Sequence, residues 1–169
     1  EIPKPRVIYV GAIFDWFDWD AVIFAAENMR RFSFVLIGPY KNYPQNLPPN
    51  VYLLGKRHHK EIQKYLYHCD VGIIPFKLSP LITHMDHPNK VLEYYAMGLP
   101  VVSVYWDAFY KNFPEVFFYT RFEEIPYKIE LAIRKGRNWD LRERVKEYDE
   151  ERVFQRFRDI LSKAGIFQG

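Results

Sequence analysis

Short apolar runs alternate with amphipathic stretches along most of the chain. The apolar runs, rich in Val, Ile, Phe and Tyr, fall at 6–12, 32–38, 51–55, 71–76, 100–104 and 115–120. Residues 20–31 and 59–69 show helical spacing instead, and Ile62, Tyr65 and Leu66 share one face of the second stretch. Strands separated by helices in this way predict an α/β fold. We expect a doubly wound, Rossmann-like parallel sheet of about six strands with helices on both faces.

After residue 120 the pattern becomes helical. Ile129, Ala132 and Ile133 share one face of a predicted amphipathic helix, and a second such helix is predicted at 151–161. We predict that the whole chain, 1–169, forms a single domain. Because Glu1 directly precedes a strand-like run, we expect the chain to be part of a longer protein.

Composition narrows the class of protein. The chain has 169 residues, of which 49% are hydrophobic and 27% charged, as is ordinary for a globular domain. Acids and bases are interspersed around a net charge of +3, without a basic stripe, so no nucleic-acid partner is expected. The single Cys69 cannot form an internal disulfide, which favours a cytoplasmic location, and we predict that it is a buried small hydrophobe. No apolar run reaches the roughly 18 residues of a membrane span.

One motif carries candidate chemistry, the run "PNKVLEYYAMGLPVV" at 88–102. Pro88 fits the first helical position and Gly98 the residue past the helix end. In a doubly wound sheet the start of such a helix faces the crevice at the strands' carboxyl ends, where free N–H groups favour phosphate. Lys90 would add positive charge against a diphosphate, and Glu93, one turn deeper, could accept hydrogen bonds from ribose hydroxyls. The alternative is an exposed ion pair with a small effect on helix stability.

Four further runs, "VIYVGAIFDWFD", "FVLIGP", "VYLLGKR" and "CDVGIIPF", precede this motif. In order and spacing, all five resemble the C-terminal half of GT-B-fold glycosyltransferases that build bacterial cell-surface polysaccharides such as teichuronic acid. The similarity extends to about residue 135. It implies a donor-binding domain of an enzyme that transfers sugar from a nucleoside diphosphate, most often UDP, to a polysaccharide or lipid-linked acceptor. Such enzymes need no metal ion or other cofactor.

The resemblance also implies partners and residue roles. The N-terminal acceptor-binding domain would lie outside this chain, and the full-length enzyme would make peripheral contact with the inner face of the membrane. Lys90 would contact the donor phosphates and Glu93 the ribose, while residues after the third and fourth strands would face base and ribose. The predicted substrate-binding residues are Gly11, Lys56, Arg57, Phe76, Asn89, Lys90 and Glu93. For Lys56 and Arg57 a solvated turn is the alternative, and for Phe76 a core position.

The chain departs from the family pattern at two places. Many retaining members carry a second Glu eight residues before the ribose-binding one, where this chain has Met85 with Asp86 beside it. The basic residues that follow the first strand in such members are replaced by the acidic, aromatic run "AIFDWFDWD" at 12–20. Retaining and inverting stereochemistry therefore both stay open, and we assign no catalytic residue.

The run at 12–20 has two interpretations of its own. Trp16 or Phe17 could stack on a sugar while Asp15 or Asp18 holds its hydroxyls. Alternatively, Asp18 caps the following helix and the aromatic side chains pack between sheet and helix. We favour the cap for Asp18 and leave the aromatic side chains open.

Other classes of protein are less well supported. The histidines at 58–59, 84 and 87 do not complete a ligand set, so no metal site is predicted. A dehydrogenase would carry G-x-G-x-x-G, which this sequence lacks. A receiver-type interaction domain needs an Asp at a strand's carboxyl end, whereas Asp70 precedes its strand. A non-catalytic nucleotide-binding or regulatory module remains the main alternative.

Overall fold

The computed structural model describes residues 1–148 and contains one six-stranded, wholly parallel sheet. The strands are β1 (Arg6–Val10), β2 (Ser33–Ile37), β3 (Val51–Gly55), β4 (Val71–Ile74), β5 (Val101–Val104) and β6 (Phe117–Tyr119). Their order is β3-β2-β1-β4-β5-β6. The prediction of a doubly wound sheet of about six strands is confirmed, with the switch in strand order between β1 and β4.

Seven α-helices and one 3₁₀ turn connect or follow the strands in the described part of the chain. They are α1 (Trp19–Asn28), α2 (His59–His68), α3 (Pro80–Thr83), α4 (Asn89–Ala96), α5 (Asp107–Asn112), the turn Phe122–Glu124, α6 (Ile125–Lys135) and α7 (Leu141–Lys146). The pattern did not predict α3, α5 and α7, because four to six residues are too few to show a hydrophobic period. The helix predicted at 151–161 lies outside the described residues.

Helices cover both faces of the sheet, and its four inner strands are almost wholly buried, whereas the edge strands β3 and β6 are partly exposed. β2 is buried at all five positions, as expected of a central parallel strand. α1 packs against α6, and α4 packs against α7. Right-handed crossovers place α1 and α4 on opposite faces. Ile129 and Ala132, on the predicted face of α6, are fully buried, and Gly136 ends that helix with a φ of 73°.

The loop at 11–18 lies across the switch point. β1 and β4 pair only at their first positions, up to Ile8 beside Gly72, and then part. At the start of the loop Gly11 N donates to Ile37 O of β2 at 2.8 Å, and at its end Asp18 N donates to Pro75 O after β4, also at 2.8 Å. The loop, the end of β4 and the first turn of α4 adjoin one another at the sheet's carboxyl edge, a region hereafter called the switch-point crevice.

Candidate functional site

The first turn of α4 has no side-chain cap. The helix begins at Asn89, and Pro88 is its N-cap with extended backbone at ψ 143°. Our prediction of Pro88 at the first helical position was therefore wrong by one residue. Pro88 supplies the carbonyl that accepts from Val91 N at 3.1 Å, as an N-cap residue does. Because proline has no polar side chain, the free N–H groups of this turn are left to water or to a ligand. At the other end Gly98, with a φ of 67°, follows the helix as predicted.

Lys90 places its ammonium group against aromatic rings beneath the crevice. Its Nζ lies 5.3 Å from the ring centroid of Tyr9 and 6.0 Å from that of Phe76, within the range of cation–π attraction. A Cβ at Gly11 would overlap this Nζ, so the glycine makes room for it. Within residues 1–148 Lys90 forms no ion pair. Burial lowers the pKa of Lys90, while the charge of Glu93 opposes that shift. The result is a half-buried cation with no anionic partner in direct contact among the described residues.

Glu93 lies one turn further along α4 and stays exposed to solvent. The protein packed around its carboxyl group raises the pKa of Glu93, and the charges of Lys90 and of His59, the first residue of α2, oppose that shift. No Lys90–Glu93 ion pair forms in the described structure, so the alternative of a surface salt bridge is not supported. Two positive groups, Lys90 and His59, thus favour the charged form of Glu93.

Of the other predicted substrate-binding residues, Phe76 is buried, whereas Asn89, Lys56 and Arg57 are at least partly open to solvent. Phe76 is only 5% exposed and packs edge-on against Tyr9, so it supports the position of Lys90 and offers little surface to a ligand. Asn89 is exposed at the first position of α4. Lys56 is exposed directly after β3, and Arg57 donates only to the neighbouring Lys56 carbonyl. These two bases lie at the carboxyl edge of the sheet without a fixed partner among the described side chains.

In the loop at 12–20 the structure favours packing. Asp18 caps α1, accepting from Ala21 N at 3.3 Å, as predicted. Phe17 is 1% exposed and packs edge-on against Tyr9, so it is a core residue. Trp16 is half-buried, edge-on to Phe14 at 5.5 Å. These contacts hold the acidic, aromatic loop in place. Residues 12–20 contain no Lys or Arg, so the loop itself supplies no cation to the crevice.

The histidines and the cysteine have structural surroundings. His58 caps α2, with its Nδ1 3.3 Å from Lys60 N. His87 packs against Phe113 and lies apart from any metal-like cluster, since residues 1–148 contain no group of three His, Cys, Asp or Glu side chains able to hold a metal ion. Cys69 is buried as predicted, and burial raises the pKa of its thiol to about 12.

Two tyrosines at the site were missed from the sequence. Tyr9 in β1 forms part of the aromatic support of Lys90, and its hydroxyl donates to Ala12 O at 2.9 Å. Tyr94 in α4 reaches the switch point with its hydroxyl. In the sequence both tyrosines occupy ordinary apolar positions of a strand and a helix. The available signal was their place in the motifs, where Tyr9 stands two residues before Gly11 and Tyr94 directly follows Glu93.

The fold is a doubly wound α/β domain with one cation at its switch point, and comparison with known proteins identifies its family. The profile of the family described as "Glycosyl transferases group 1" matches residues 4–115. The chain belongs to this glycosyltransferase family. It is 31% identical over 101 residues to TuaH of Bacillus subtilis (strain 168), itself a proposed teichuronic acid biosynthesis glycosyltransferase. That alignment covers 56% of this chain and 25% of TuaH.

Solved structures share the fold at low sequence identity. Anabaena Alr3699/HepE, crystallised with UDP-glucose, superimposes with a TM-score of 0.72 at 14% identity, over 95% of this chain and 49% of that protein. AviGT4, a glycosyltransferase involved in avilamycin A biosynthesis, gives a TM-score of 0.66 at 16% identity, over 95% of this chain and 52% of AviGT4. The chain therefore spans about half the length of these GT-B structures, and the predicted fold class is confirmed.

None of the helices in the described part of the chain is long and apolar enough to cross a membrane.

Proposed function

We propose that this chain is the donor-binding part of a glycosyltransferase whose donor is a nucleoside diphosphate sugar, namely a UDP-sugar. The observation that carries the proposal is the half-buried Lys90 ammonium, which lies without an ion-pair partner among the described residues beside the uncapped start of α4. A cation and free N–H groups converging at a switch point suit a diphosphate. HepE, which shares the fold, was crystallised with UDP-glucose and with UDP, which supports the choice of nucleotide.

The donor would extend across the crevice from α4 towards α2. Its diphosphate would lie on Lys90 and the first-turn N–H groups of α4, and its ribose hydroxyls would donate to Glu93. Burial raises the pKa of Glu93, and the charge of His59 at the start of α2 opposes that shift. Helix α2 follows β3 closely in the chain. We therefore expect the base to lie towards the end of β3, near Lys56 and Arg57. Lys90 would then stabilise the charge that grows on the departing diphosphate as the sugar bond breaks.

The acceptor and the whole enzyme are inferred from relatives. The likeness to TuaH, whose name refers to teichuronic acid biosynthesis, supports a role in polysaccharide synthesis. We propose a cell-surface polysaccharide or lipid-linked acceptor. The acceptor-binding domain would be the counterpart of the half of HepE that this chain does not cover. We expect a cytoplasmic enzyme that contacts the inner face of the membrane peripherally.

Calorimetric titration of the protein with UDP, UDP-glucose, GDP and ADP tests donor binding. We expect UDP and UDP-glucose to bind, and chelator to leave the affinity unchanged because Lys90 and backbone N–H groups supply the positive charge. Inorganic sulfate is the control for a general anion site. Folded protein that binds none of the nucleotides would overturn the proposal, and a large loss of affinity with chelator would overturn metal independence.

A non-catalytic nucleotide-binding module is the second candidate. It is favoured by Met85 at the position of the second family Glu, and by the acidic loop at 12–20 where family members place basic residues. Both functions predict nucleotide binding. Transfer of labelled sugar by the full-length gene product distinguishes them.

A further inference from the structure

At the switch point the hydroxyl of Tyr94 occupies the gap between the diverging strands. It accepts a hydrogen bond from Val10 N of β1 at 3.2 Å and donates one to Ile73 O of β4, also at 3.2 Å. In a continuous parallel sheet these backbone groups would bond to a neighbouring strand. β1 and β4 do not pair beyond Ile8 and Gly72, so a side chain from α4 completes both strands.

The surroundings of Tyr94 fix its position closely. Its side chain is fully buried, and the missing side chain of Gly72 makes room for the ring, since a Cβ there would lie 2.5 Å from Tyr94 Cδ2. Burial raises the pKa of Tyr94 well above its ordinary value. The phenol therefore remains protonated and can donate to Ile73 O throughout the working pH range.

Tyr94 also belongs to the helix that carries the site. It follows Glu93 directly and lies four residues after Lys90, about one helical turn. Val10, which it contacts, precedes Gly11, and Gly11 lies against the Lys90 ammonium. One hydroxyl thus connects the ends of β1 and β4 to the helix that carries Lys90 and Glu93.

We propose that Tyr94 is a positioning residue for donor binding, which sets the position of α4 relative to the ends of β1 and β4. This proposal rests on the proposed function, because it assumes that Lys90 binds the diphosphate. Tyr94 touches no donor atom and acts through Lys90. Without its hydroxyl, Val10 N and Ile73 O lose their partner, and either the strands or α4 must shift to satisfy them. Lys90 then moves relative to Gly11 and to the first-turn N–H groups.

The test compares Tyr94→Phe with two control variants. Tyr95→Phe removes a hydroxyl from the next residue, whose ring packs on Phe113 and whose hydroxyl makes no hydrogen bond among the described residues. Ile129→Val removes a methylene from α6, a helix other than the one that carries the site, and lowers stability without touching the crevice. Affinities for UDP and uridine are measured calorimetrically at a temperature at which circular dichroism shows every variant to be fully folded.

We expect Tyr94→Phe to weaken UDP binding about tenfold, the equivalent of about 1.4 kcal/mol, and to lower the ratio of UDP to uridine affinity. Tyr95→Phe and Ile129→Val should keep the wild-type affinity for UDP. If Tyr94→Phe lowers the melting temperature but keeps the wild-type affinity and ratio, Tyr94 only stabilises the fold and the proposal is wrong. If wild-type protein itself does not bind UDP, the proposed function fails first. If Tyr94→Phe does not fold, Gly72→Ala, which presses on the same ring, must give the same selective loss of UDP affinity, and unchanged affinity there also overturns the proposal.

Discussion

The two ends of α4 differ in whether side chains of the protein bond to their free backbone groups. At the carboxyl end Arg142 Nε donates to Ala96 O at 2.8 Å, and Arg137 donates to Met97 O. At the amino end no side chain caps the helix, and Pro88 could not provide one. Both ends start with unsatisfied backbone groups. The protein therefore satisfies one end with its own side chains and leaves the other to solvent or ligand, which is the difference expected between a structural end and a binding end.

Arg137 extends the structural end to a second helix. Its guanidinium also donates to Tyr67 O and Cys69 O at the end of α2, both at 2.8 Å, and lies over the rings of Tyr67 and Trp139 at 5.6 and 5.4 Å. A positive group there complements the dipoles of both helices. Arg137 and these partners, hereafter the Arg137 cluster, should stabilise the fold at the end of α4 away from the crevice. Changes there and at Lys90 should therefore affect different measurements.

The largest expected effect is on stability, from Arg137→Met. The variant keeps much of the apolar side chain but withdraws a charged donor from the carbonyls of two helix ends, which should lower the free energy of unfolding by about 3 kcal/mol. Urea denaturation measures the loss, and Arg134→Met, an exposed change in the last turn of α6, is the control. UDP affinity of the folded variant should stay within about twofold of wild type, under 0.5 kcal/mol. A strong loss of affinity would show that the two ends of α4 are not independent.

Lys90→Ala should show the opposite pattern. It removes the cation under the crevice and should weaken UDP binding by about 1.5–3 kcal/mol, the range for a hydrogen bond to a charged group. Uridine binding should be nearly unchanged, because the nucleoside has no phosphate. Since the ammonium has no ion-pair partner among the described residues and loses only its cation–π contacts with Tyr9 and Phe76, the free energy of unfolding should fall by about 1 kcal/mol. Lys111→Ala, at an exposed position of α5, is the matched control. Equal UDP affinity in both variants would contradict the assignment of Lys90.

The sequence pattern was sufficient for the fold because each strand is a separate apolar run. β3 was predicted to the residue, and the other strands are shorter than predicted by one to three residues. Lys90 and Glu93 could be selected as candidates because the roles proposed for them depend on spacing within one helix and on a motif. The roles of Tyr94 and Gly72 could not, because Tyr94 meets Val10 at a separation of 84 residues. The Arg137 cluster was likewise hidden, since its partners are backbone carbonyls, which every residue carries.

The smallest expected effect concerns Glu93 and pH. The protein around its carboxyl group raises the pKa of Glu93 above the ordinary 4.5, so the carboxylate is lost at a higher pH than for a free Glu as the solution is acidified. A protonated carboxyl accepts ribose hydrogen bonds less well, so binding should weaken as pH falls through this raised pKa. Glu93→Gln should lower affinity at neutral pH by about 1 kcal/mol and remove this acid limb.

UDP-glucose is the right ligand for this measurement, because its esterified diphosphate has no terminal phosphate group that titrates in the same range. For Lys90 we expect a loss of affinity on the alkaline side. Because its pKa is lowered, the ammonium loses its proton at a less alkaline pH than an ordinary Lys. The affinity should fall there in wild type and in Glu93→Gln alike. Wild-type binding that is flat on the acid side would remove Glu93 from the site while leaving Lys90 in it. An acid limb that persists in Glu93→Gln would show that a group other than Glu93 causes it and would contradict the assignment of the limb to this carboxylate.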